Sequence, residues 1–492
     1  MYIKTILLGC LSMALVTLLP AQDKSDLHVC GTQDGKVEWL ARYQADGGTF
    51  ERSGATLFLP IKVHLVGTSQ GEGHFPVSRL LDAFCTLNND FVQADIQFFI
   101  SGDINYINND NYYDHTFQQG NQMMSQNNVS AKINCYVVDS PAGNCGYSNY
   151  FRGIALAKSC MGAADHTWAH EVGHYLSLPH PFFGWEGTDS DFAYNEAAPN
   201  FVGGEAVERM DGSNCQFAAD GFCDTPPDYL AYRWPCSSDN LSNQTQTDPD
   251  GVTFRSDGSL IMSYALDNCS SRFSEEQIDA MHANVNQERA NLIGQMDELL
   301  PPAEVVLNPI SPAEGSTVDF YEEVFFEWEP IAEATGYIVD VSRFQNFNLV
   351  EHRYEVEGSS FVSTDFKADR TYYWRLRPYN AQYTCDNLTE TSSFFTGMLS
   401  DVKDIEEVNG MQLMPNPLTN GNNLQLDLQM TEPVDLQVRM ISVTGQTVEQ
   451  FDWETNVGQN RWVLNTQDLQ AGIYFLQLQS ANGVMSRKVV VQ

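Results

Sequence analysis

The hydrophobic positions between residues 54 and 299 follow two alternating patterns. Short apolar runs rich in β-branched residues, at TLFLPIKVHLV, IQFFIS and INCYVVD, are typical of strands. Between them, the stretch VSRLLDAFCTLNNDF has its apolar residues at helical spacing. A last helix is predicted at SEEQIDAMHANVNQERANLI, where Ser274 and Gln277 form a capping box. The pattern therefore predicts a mixed α/β domain at 54–299.

Beyond residue 300 only short alternating strands remain. A proline-rich linker precedes VFFEWEP, TGYIVDVS, TYYWRLRPYN and SSFFTG, whose spacing predicts a β-sandwich at 303–397. The polar linker SDVKDIEEVNG leads to further strands at 411–492: LQLDLQM, DLQVRMIS, RWVLNT, GIYFLQLQ and RKVVVQ. The fold class expected is an α/β domain followed by two all-β sandwich domains.

The N-terminus has the pattern of a secretory signal peptide at 1–21. Lys4 precedes an apolar stretch, and Leu19-Pro20-Ala21 suits cleavage. No later run reaches the roughly 18 apolar residues of a membrane span. Residues 22–53 are short and polar and predict a prosegment, with Arg52 as an accessible cleavage point.

Charge narrows the possible partners. The chain has 26 basic and 64 acidic residues, a net charge of −38. Nucleic acid and anionic membranes would be repelled, so neither is an expected partner. The balance suits a secreted protein whose carboxylates can hold calcium. Ten cysteines remain after the signal peptide, and export makes disulfides expected.

Four of the ten histidines lie in DHTWAHEVGHYLSLPH, residues 165–180. His170 and His174 are four apart, so on a helix they share a face and can both reach one zinc ion. Glu171 is placed to take a proton from a metal-bound water. The helix, capped by Asp165, must end before Pro179, which lets His180 return as a third ligand.

The segment HEVGHYLSLPH resembles the zinc-binding pattern HExxHxxGxxH of the metzincins. With ADGFCDTPPDY and LIMSYALDNCSSRFSEEQIDAM, it is similar to the pappalysin family over residues 30 to 300. The resemblance implies a zinc-dependent endopeptidase acting on proteins or peptides, in which zinc activates water and Glu171 is the general base. Ser177 replaces the family glycine, a departure that predicts a differently shaped turn.

The resemblance also implies further roles. Met262 would be the Met-turn residue and Tyr264 a stabiliser of the tetrahedral intermediate. Cys30, in Cys-Gly-Thr, would be a zymogen switch, with a plain disulfide as the alternative. A calcium site would involve Glu205 or Glu208 upstream, and it would take its other ligands from Ala219, Asp220, Cys223 and Thr225, although Asp224 there could be only a turn-former.

The resemblance further suggests two disulfides, Cys215–Cys236 and Cys223–Cys269, while the sequence alone allows three pairings. If Cys30 is a switch, at least one other cysteine is unpaired, and Cys385 is the candidate.

The two all-β regions resemble known modules. Trp328, Tyr337, Tyr373 and Trp374 resemble the aromatic pattern of a fibronectin type III domain. At the C-terminus MPNPLTNGNNLQLDLQ, MISVTGQ, LQAGIYFLQLQ and RKVVVQ resemble, in that order, the sorting domain of type IX secretion. This implies export through that machinery, and release or attachment at the outer surface.

Two other interpretations stay open. The chain could be a surface adhesion or glycan-binding protein with a vestigial peptidase, although intact Glu171 and three histidines disfavour it. It could be a gluzincin, with Glu196 as third ligand in place of His180. Some pappalysin-like enzymes prefer Arg or Lys after the scissile bond, which would suit self-cleavage at Glu51–Arg52.

Overall fold

The architecture is that of a computed structural model. It describes residues 28–32, 35–186, 194–294, 299–302, 305–385, 387–399, 405–416, 418, 423–442, 447–466, 469–470, 472–480 and 483–491. The predicted signal peptide lies outside the described residues. The chain divides into two compact units, 1–300 with 381–385, and 301–380 with 386–492. No helix in the described ranges is long and apolar enough to cross a membrane.

The first unit combines helices with a mixed sheet. Its helices are α1 Glu38–Ala45, α2 Val77–Asp90, α3 Asp110–Tyr113, α4 Phe117–Asn127, α5 Thr167–Tyr175 and α6 Glu275–Gln287. Its strands are β1 His28–Cys30, β2 Leu57–Gly67, β3 Ile96–Ile100, β4 Asn105–Asn108, β5 Asp114–His115, β6 Ile133–Val138, β7 Ser140–Pro141, β8 Asn144–Asn149, β9 Gly153–Ala157, β10 Phe201–Val202, β11 Glu205–Ala206, β12 Gln246–Thr247 and β13 Thr253–Phe254.

The main sheet has the order β1-β8-β9-β6-β2-β3, with β4 also pairing with β2. β9, β6, β2 and β3 run parallel, whereas β8 is antiparallel to β9. Every residue of β6 and β9 is buried, as expected where both faces of a parallel sheet are covered. β1, in the predicted prosegment, extends this sheet by pairing parallel to β8.

The predicted helices are present, with one correction at a cap. α6 has the predicted Ser274–Gln277 capping box. The predicted cap of α5 by Asp165 is wrong, because the N-cap is His166 and the Asp165 carboxylate accepts from the Gly162 amide at 3.0 Å. The predicted prosegment also contains α1, which the polar composition did not predict and whose Trp39, Leu40 and Tyr43 are buried.

The turn after α5 has the left-handed shape despite lacking glycine. Ser177 has φ +86°, and the amide of Leu178 donates to the Gly173 carbonyl at 2.9 Å. The Ser177 amide donates to the His174 carbonyl, which completes a Schellman motif. The expected change in the turn is therefore wrong: serine adopts the strained conformation because both helix-ending hydrogen bonds form there.

The predicted disulfide pairing is corrected. The bonds are Cys215–Cys223 and Cys236–Cys269. Residues 215 and 223 lie in one compact loop with their Cα atoms 5.0 Å apart. Trp234 bridges to Ala265, and this pairing carries Cys236 to Cys269.

Cys385 is also not the unpaired cysteine. It bonds to Cys85, in a segment whose Ala381 carbonyl accepts from the Ile100 amide. Cys145 bonds to Cys160. Among the described residues the free thiols are Cys30 and Cys135, and Cys135 is fully buried.

The second unit is all-β and contains two hydrophobic cores. Its strands are β14 Pro309–Ser311, β15 Ser316–Phe320, β16 Val324–Trp328, β17 Gly336–Ser342, β18 His352–Val356, β19 Ser360–Ser363, β20 Arg370–Tyr379, β21 Ser392–Leu399, β22 Val408–Met414, β23 Leu424–Met430, β24 Asp435–Ser442, β25 Thr447–Glu454, β26 Gly458–Leu464, β27 Gly472–Gln479 and β28 Val484–Val491. This confirms the predicted class, an α/β region followed by all-β structure. The exact domain boundaries stay predictions.

The first β core lies between sheets β14-β16-β19 and β15-β21-β20-β17-β18. Trp328, Tyr337 and Trp374 are buried in it as the aromatic pattern predicts, but Tyr372 is buried there rather than Tyr373. The second core lies between sheets β22-β23-β26 and β25-β24-β27-β28, and its members are mostly aliphatic.

Candidate metal centre

Three buried imidazoles converge at the end of α5. His170 and His174 lie one turn apart on this helix, and the left-handed turn at Ser177 brings His180 back to them. Their Nε2 atoms are 3.0 to 3.3 Å apart. Nitrogens bound tetrahedrally at about 2.0–2.1 Å from a zinc ion lie about 3.3 Å from one another. The spacing fits one such ion.

The outer ring nitrogens of the three histidines each contact an oxygen acceptor. The Nδ1 atom of His170 contacts the Ile261 carbonyl at 2.8 Å, and that of His174 contacts the Leu178 carbonyl at 2.7 Å. His180 Nδ1 contacts the Glu186 carboxylate at 3.0 Å. Since these oxygens only accept, each Nδ1 donates, and each Nε2 atom faces the centre of the cluster. This arrangement is consistent with a metal ion held between the three rings.

Burial keeps the imidazoles on α5 uncharged. Burial first, and then the neighbouring His180, lower the pKa of His170 to about 3. The pKa of His174 is held well below its ordinary value, again by burial first and then by the other two rings. Neutral imidazole is the form that binds zinc.

Glu171 points into the same site from the adjacent helix position and is fully buried. Burial raises its pKa to about 8. Its Oε2 atom accepts from the Thr32 hydroxyl at 2.9 Å, while its Oε1 atom has no hydrogen-bond partner. β8 approaches closely here, because a Cβ atom on Gly146 would lie 2.8 Å from the Glu171 side chain. The carboxylate is therefore held in a tight slot with one free oxygen.

Met262 lies against α5, and Tyr264 lies beside the imidazoles of His170 and His180. Met262 is fully buried against α5, and a Cβ atom on Gly173 would come within 2.4 Å of its sulfur. The Tyr264 ring lies 4.8 Å from the His180 ring, centroid to centroid. Burial and the neighbouring Cys30 raise the pKa of Tyr264, so its hydroxyl stays protonated and can donate.

Cys30 is brought to the three histidines by β1. Its register opposite Gly146 of β8 places the Sγ atom with the three imidazole nitrogens, all within 4.8 Å of one another. Burial and the Glu171 charge raise the pKa of this thiol well above its usual value. Glu196, the alternative third ligand, is not part of this group among the described side chains.

The predicted calcium region contains buried carboxyls, but its groups are largely engaged with one another. The Thr225 hydroxyl donates to Asp220 at 3.0 Å, and Ala219 has φ +43°. Glu208 is 3% exposed with an unpartnered Oε2 atom, and its pKa is raised to about 9, by burial first and then by Asp220. Lys36, in the predicted prosegment, interacts electrostatically with the Asp220 and Glu208 carboxyls.

Two neighbouring acids of this region have other contacts. Asp224 accepts from Ser274 and from the Glu276 amide at the start of α6. The Cys223 amide donates to Glu276 at 2.6 Å. Asp224 is therefore bonded to the start of α6, a contact that the sequence did not predict.

Two contacts at the centre were not predicted. Glu186 holds His180, and its other oxygen accepts from the Gly184 amide at 2.7 Å. Thr32 holds Glu171 and accepts from the Ser148 amide at 2.8 Å. The threonine was visible within Cys-Gly-Thr, but its partner is 139 residues away in the chain, so only the fold reveals the contact.

The fold and site define an α/β unit with a buried three-histidine cluster. The C-terminal region of the chain, in the all-β unit, matches a known protein family. Residues 412–492 match the protein family described as "secretion system C-terminal sorting domain". This confirms the predicted sorting domain and indicates export to the outer surface or the medium. No curated protein matches the sequence of the chain.

Three solved structures match parts of the chain. A Tannerella forsythia promirolysin mutant has 18% identity and a TM-score of 0.36, covering 54% of this chain and 97% of its own. The chicken CNTN1 FN1–FN3 domains have 15% identity and a TM-score of 0.18, covering 40% and 66%. Dimeric latent PorU of Porphyromonas gingivalis has 14% identity and a TM-score of 0.17, and the match covers 39% of this chain and 20% of its own.

Proposed function

We propose that the chain is a secreted zinc endopeptidase that hydrolyses protein or peptide bonds. The observation that carries this proposal is the convergence of three Nε2 lone pairs beside a buried carboxylate with one free oxygen. His170, His174 and His180 would hold the zinc, which supplies a Lewis acid and lowers the pKa of water to about 7.

The roles of the other side chains follow from their positions. Glu171 takes the proton of the attacking water and delivers it to the leaving amine. Its slot between α5 and β8 holds the carboxylate at the required place. The Tyr264 hydroxyl donates to the oxyanion that develops on the scissile carbonyl. Met262 supports α5 from below and takes no part in proton transfer.

The prosegment would keep the enzyme latent through Cys30 of β1 and Thr32, two residues after it. The Cys30 sulfur would fill the fourth zinc position, since thiolate is a strong zinc ligand. The Thr32 hydroxyl would donate a hydrogen bond to Glu171, the general base. Cys30→Ala in the uncleaved chain should release activity, and a variant that remains as inactive as the parent would contradict this switch.

We further propose that calcium binds near Asp220, Thr225 and Glu208, with Ala219 and Cys223 as backbone contributors. The unpartnered Glu208 oxygen supports a cation there. Calcium should raise the melting temperature of the prosegment-free chain. The Glu208→Gln variant should lose that response, and an unchanged response in it would exclude Glu208 as a ligand.

The test of the main proposal is casein hydrolysis by the processed chain. A zinc chelator should abolish cleavage, and added Zn²⁺ should restore it. Cleavage that is indifferent to chelation would overturn the zinc mechanism. A fully zinc-loaded, processed chain that cuts no protein or peptide would overturn the peptidase assignment.

A further inference from the structure

A small cavity adjoins the metal centre on the side of His170. It is lined by Val29 of the prosegment and by Arg233, Asp267, Ser263 and Ser270. The strand β1 places Val29 at this cavity, because Cys30 lies with the three histidines and Val29 is the residue before it on the strand. A substrate residue flanking the scissile bond would therefore direct its side chain into the space that Val29 lines in the uncleaved chain.

An ion pair forms one wall of this cavity. The Arg233 guanidinium lies 2.5 Å from Asp267 Oδ2, and Asp267 Oδ1 accepts from the His166 amide at 3.2 Å. Both oxygens of Asp267 are thus occupied by groups of the chain itself. The two side chains are 26% and 21% exposed, so water screens the pair only in part.

The backbone holds this pair in place. Trp234, next to Arg233, donates its amide to the Tyr264 carbonyl at 3.2 Å, and its carbonyl accepts from the Leu266 amide at 2.9 Å. Arg233 and Asp267 therefore project from two segments that are joined by hydrogen bonds. A substrate cation approaching Asp267 would have to displace a guanidinium that is tethered beside it.

Size points the same way as charge. The space beside Val29 that is open to the centre of a water molecule is about 20 Å³. About 10–15 Å³ of such space holds one water molecule, so the cavity takes about one, and the extra methylenes and charged head of Lys or Arg do not fit without rearrangement. The other charged pair of this wall, His166 with Asp90 at 2.9 Å, is also internally matched.

We propose that Arg233 is a specificity-determining residue: by neutralising Asp267, it makes this cavity select a small uncharged side chain next to the scissile bond instead of Lys or Arg. The proposal rests on the peptidase function above. It departs from the basic preference that the family resemblance implies, and it assigns the difference to one arginine.

Matched fluorogenic peptides test the selectivity on the full chain after prosegment removal. They differ only in carrying Val, Lys or Glu at one residue flanking the bond. The parent enzyme should favour Val over Lys by about tenfold in kcat/KM, and Arg233→Gln should move that ratio toward Lys by about tenfold. Asp267→Asn should move it toward Glu, whereas Arg233→Lys, the charge-conserving control, should keep the parental ratio.

Failure of this proposal and failure of the proposed function give different experimental results. A parent enzyme that cuts the Lys peptide best, or an Arg233→Gln ratio equal to the parental one, overturns the role of Arg233. Absence of zinc-dependent cleavage of every peptide overturns the peptidase instead.

A second measurement needs no catalysis. In the uncleaved chain carrying Glu171→Gln, Val29→Lys should lower the melting temperature by about 3 °C, and adding Arg233→Gln should restore most of it. Val29→Glu with Asp267→Asn is the reciprocal pair. Its melting temperatures test the shared cavity if Arg233→Gln does not fold. Strictly additive effects in the pair that is measured would refute a shared cavity.

Discussion

The central strands of the first unit and the strands of the C-terminal sorting domain bury their side chains differently. β6 and β9 are buried at every position. β23 alternates, with Leu424, Leu426 and Leu428 buried and the residues between them at least partly exposed. One sheet is covered on both faces, whereas the other covers a core with one face only.

The difference bears on where chemistry can be placed. α5 is one of the elements that cover the first sheet, and its histidines and Glu171 are buried. The core of the sorting domain is apolar, and its tyrosine, Tyr474, has its hydroxyl bonded to the Gln470 carbonyl. The first region keeps polar groups buried for a ligand, and the second buries apolar groups for stability.

The largest effect expected from this comparison is on catalysis. Glu171→Gln keeps the size and position of the side chain but removes its basicity. The kcat of the processed chain should fall by about 1,000-fold while zinc stays bound, as expected for loss of a general base. Peptide hydrolysis assays with metal analysis check this. Activity within a few-fold of the parent would mean that another group takes the proton.

A matched pair of core truncations gives the next largest effect. Leu156 of β9 and Leu426 of β23 are both fully buried, so Leu→Ala at either position should cost about 3 kcal/mol of unfolding free energy. Only Leu156→Ala should weaken zinc retention, because only β9 lies in the unit that carries α5. Denaturant titration and chelator competition measure the two quantities. Zinc loss from Leu426→Ala would break the comparison.

The smallest effect is expected at the turn after α5. Ser177 has φ +86° and a buried hydroxyl without a hydrogen-bond partner. Ser177→Gly should therefore raise the free energy of unfolding by about 1 kcal/mol. Ser177→Ala removes the hydroxyl but keeps the Cβ atom, so it should gain less. Equal gains in thermal denaturation would show that the hydroxyl, and not the backbone, stores the strain.

Much of the fold was predictable because the local patterns are strong. The alternation in β16, β23 and β27 and the capping box of α6 specify their elements without help from tertiary structure. The shorter strands escaped prediction because only their partners stabilise them. α1 escaped because its three buried side chains are embedded in a polar stretch.

Spacing alone predicted the site only as far as its residues are close in sequence, and the expected positions of Cys30, Met262 and Tyr264 came from the family resemblance. The spacing of His170, Glu171, His174 and His180 indicates the metal centre directly. The partners that orient it, such as the Ile261 carbonyl, come from distant segments and leave no local pattern. The disulfide pairing failed for the same reason, since it depends on Trp234 lying beside Ala265.

The most direct test of the account is the zinc content of the purified, processed chain and two variants, measured beside peptide hydrolysis. One zinc per chain is expected in the parent and in Glu171→Gln, with hydrolysis only in the parent. His180→Ala should lose both zinc and hydrolysis. Full zinc occupancy with undiminished hydrolysis in His180→Ala would contradict the three-histidine centre.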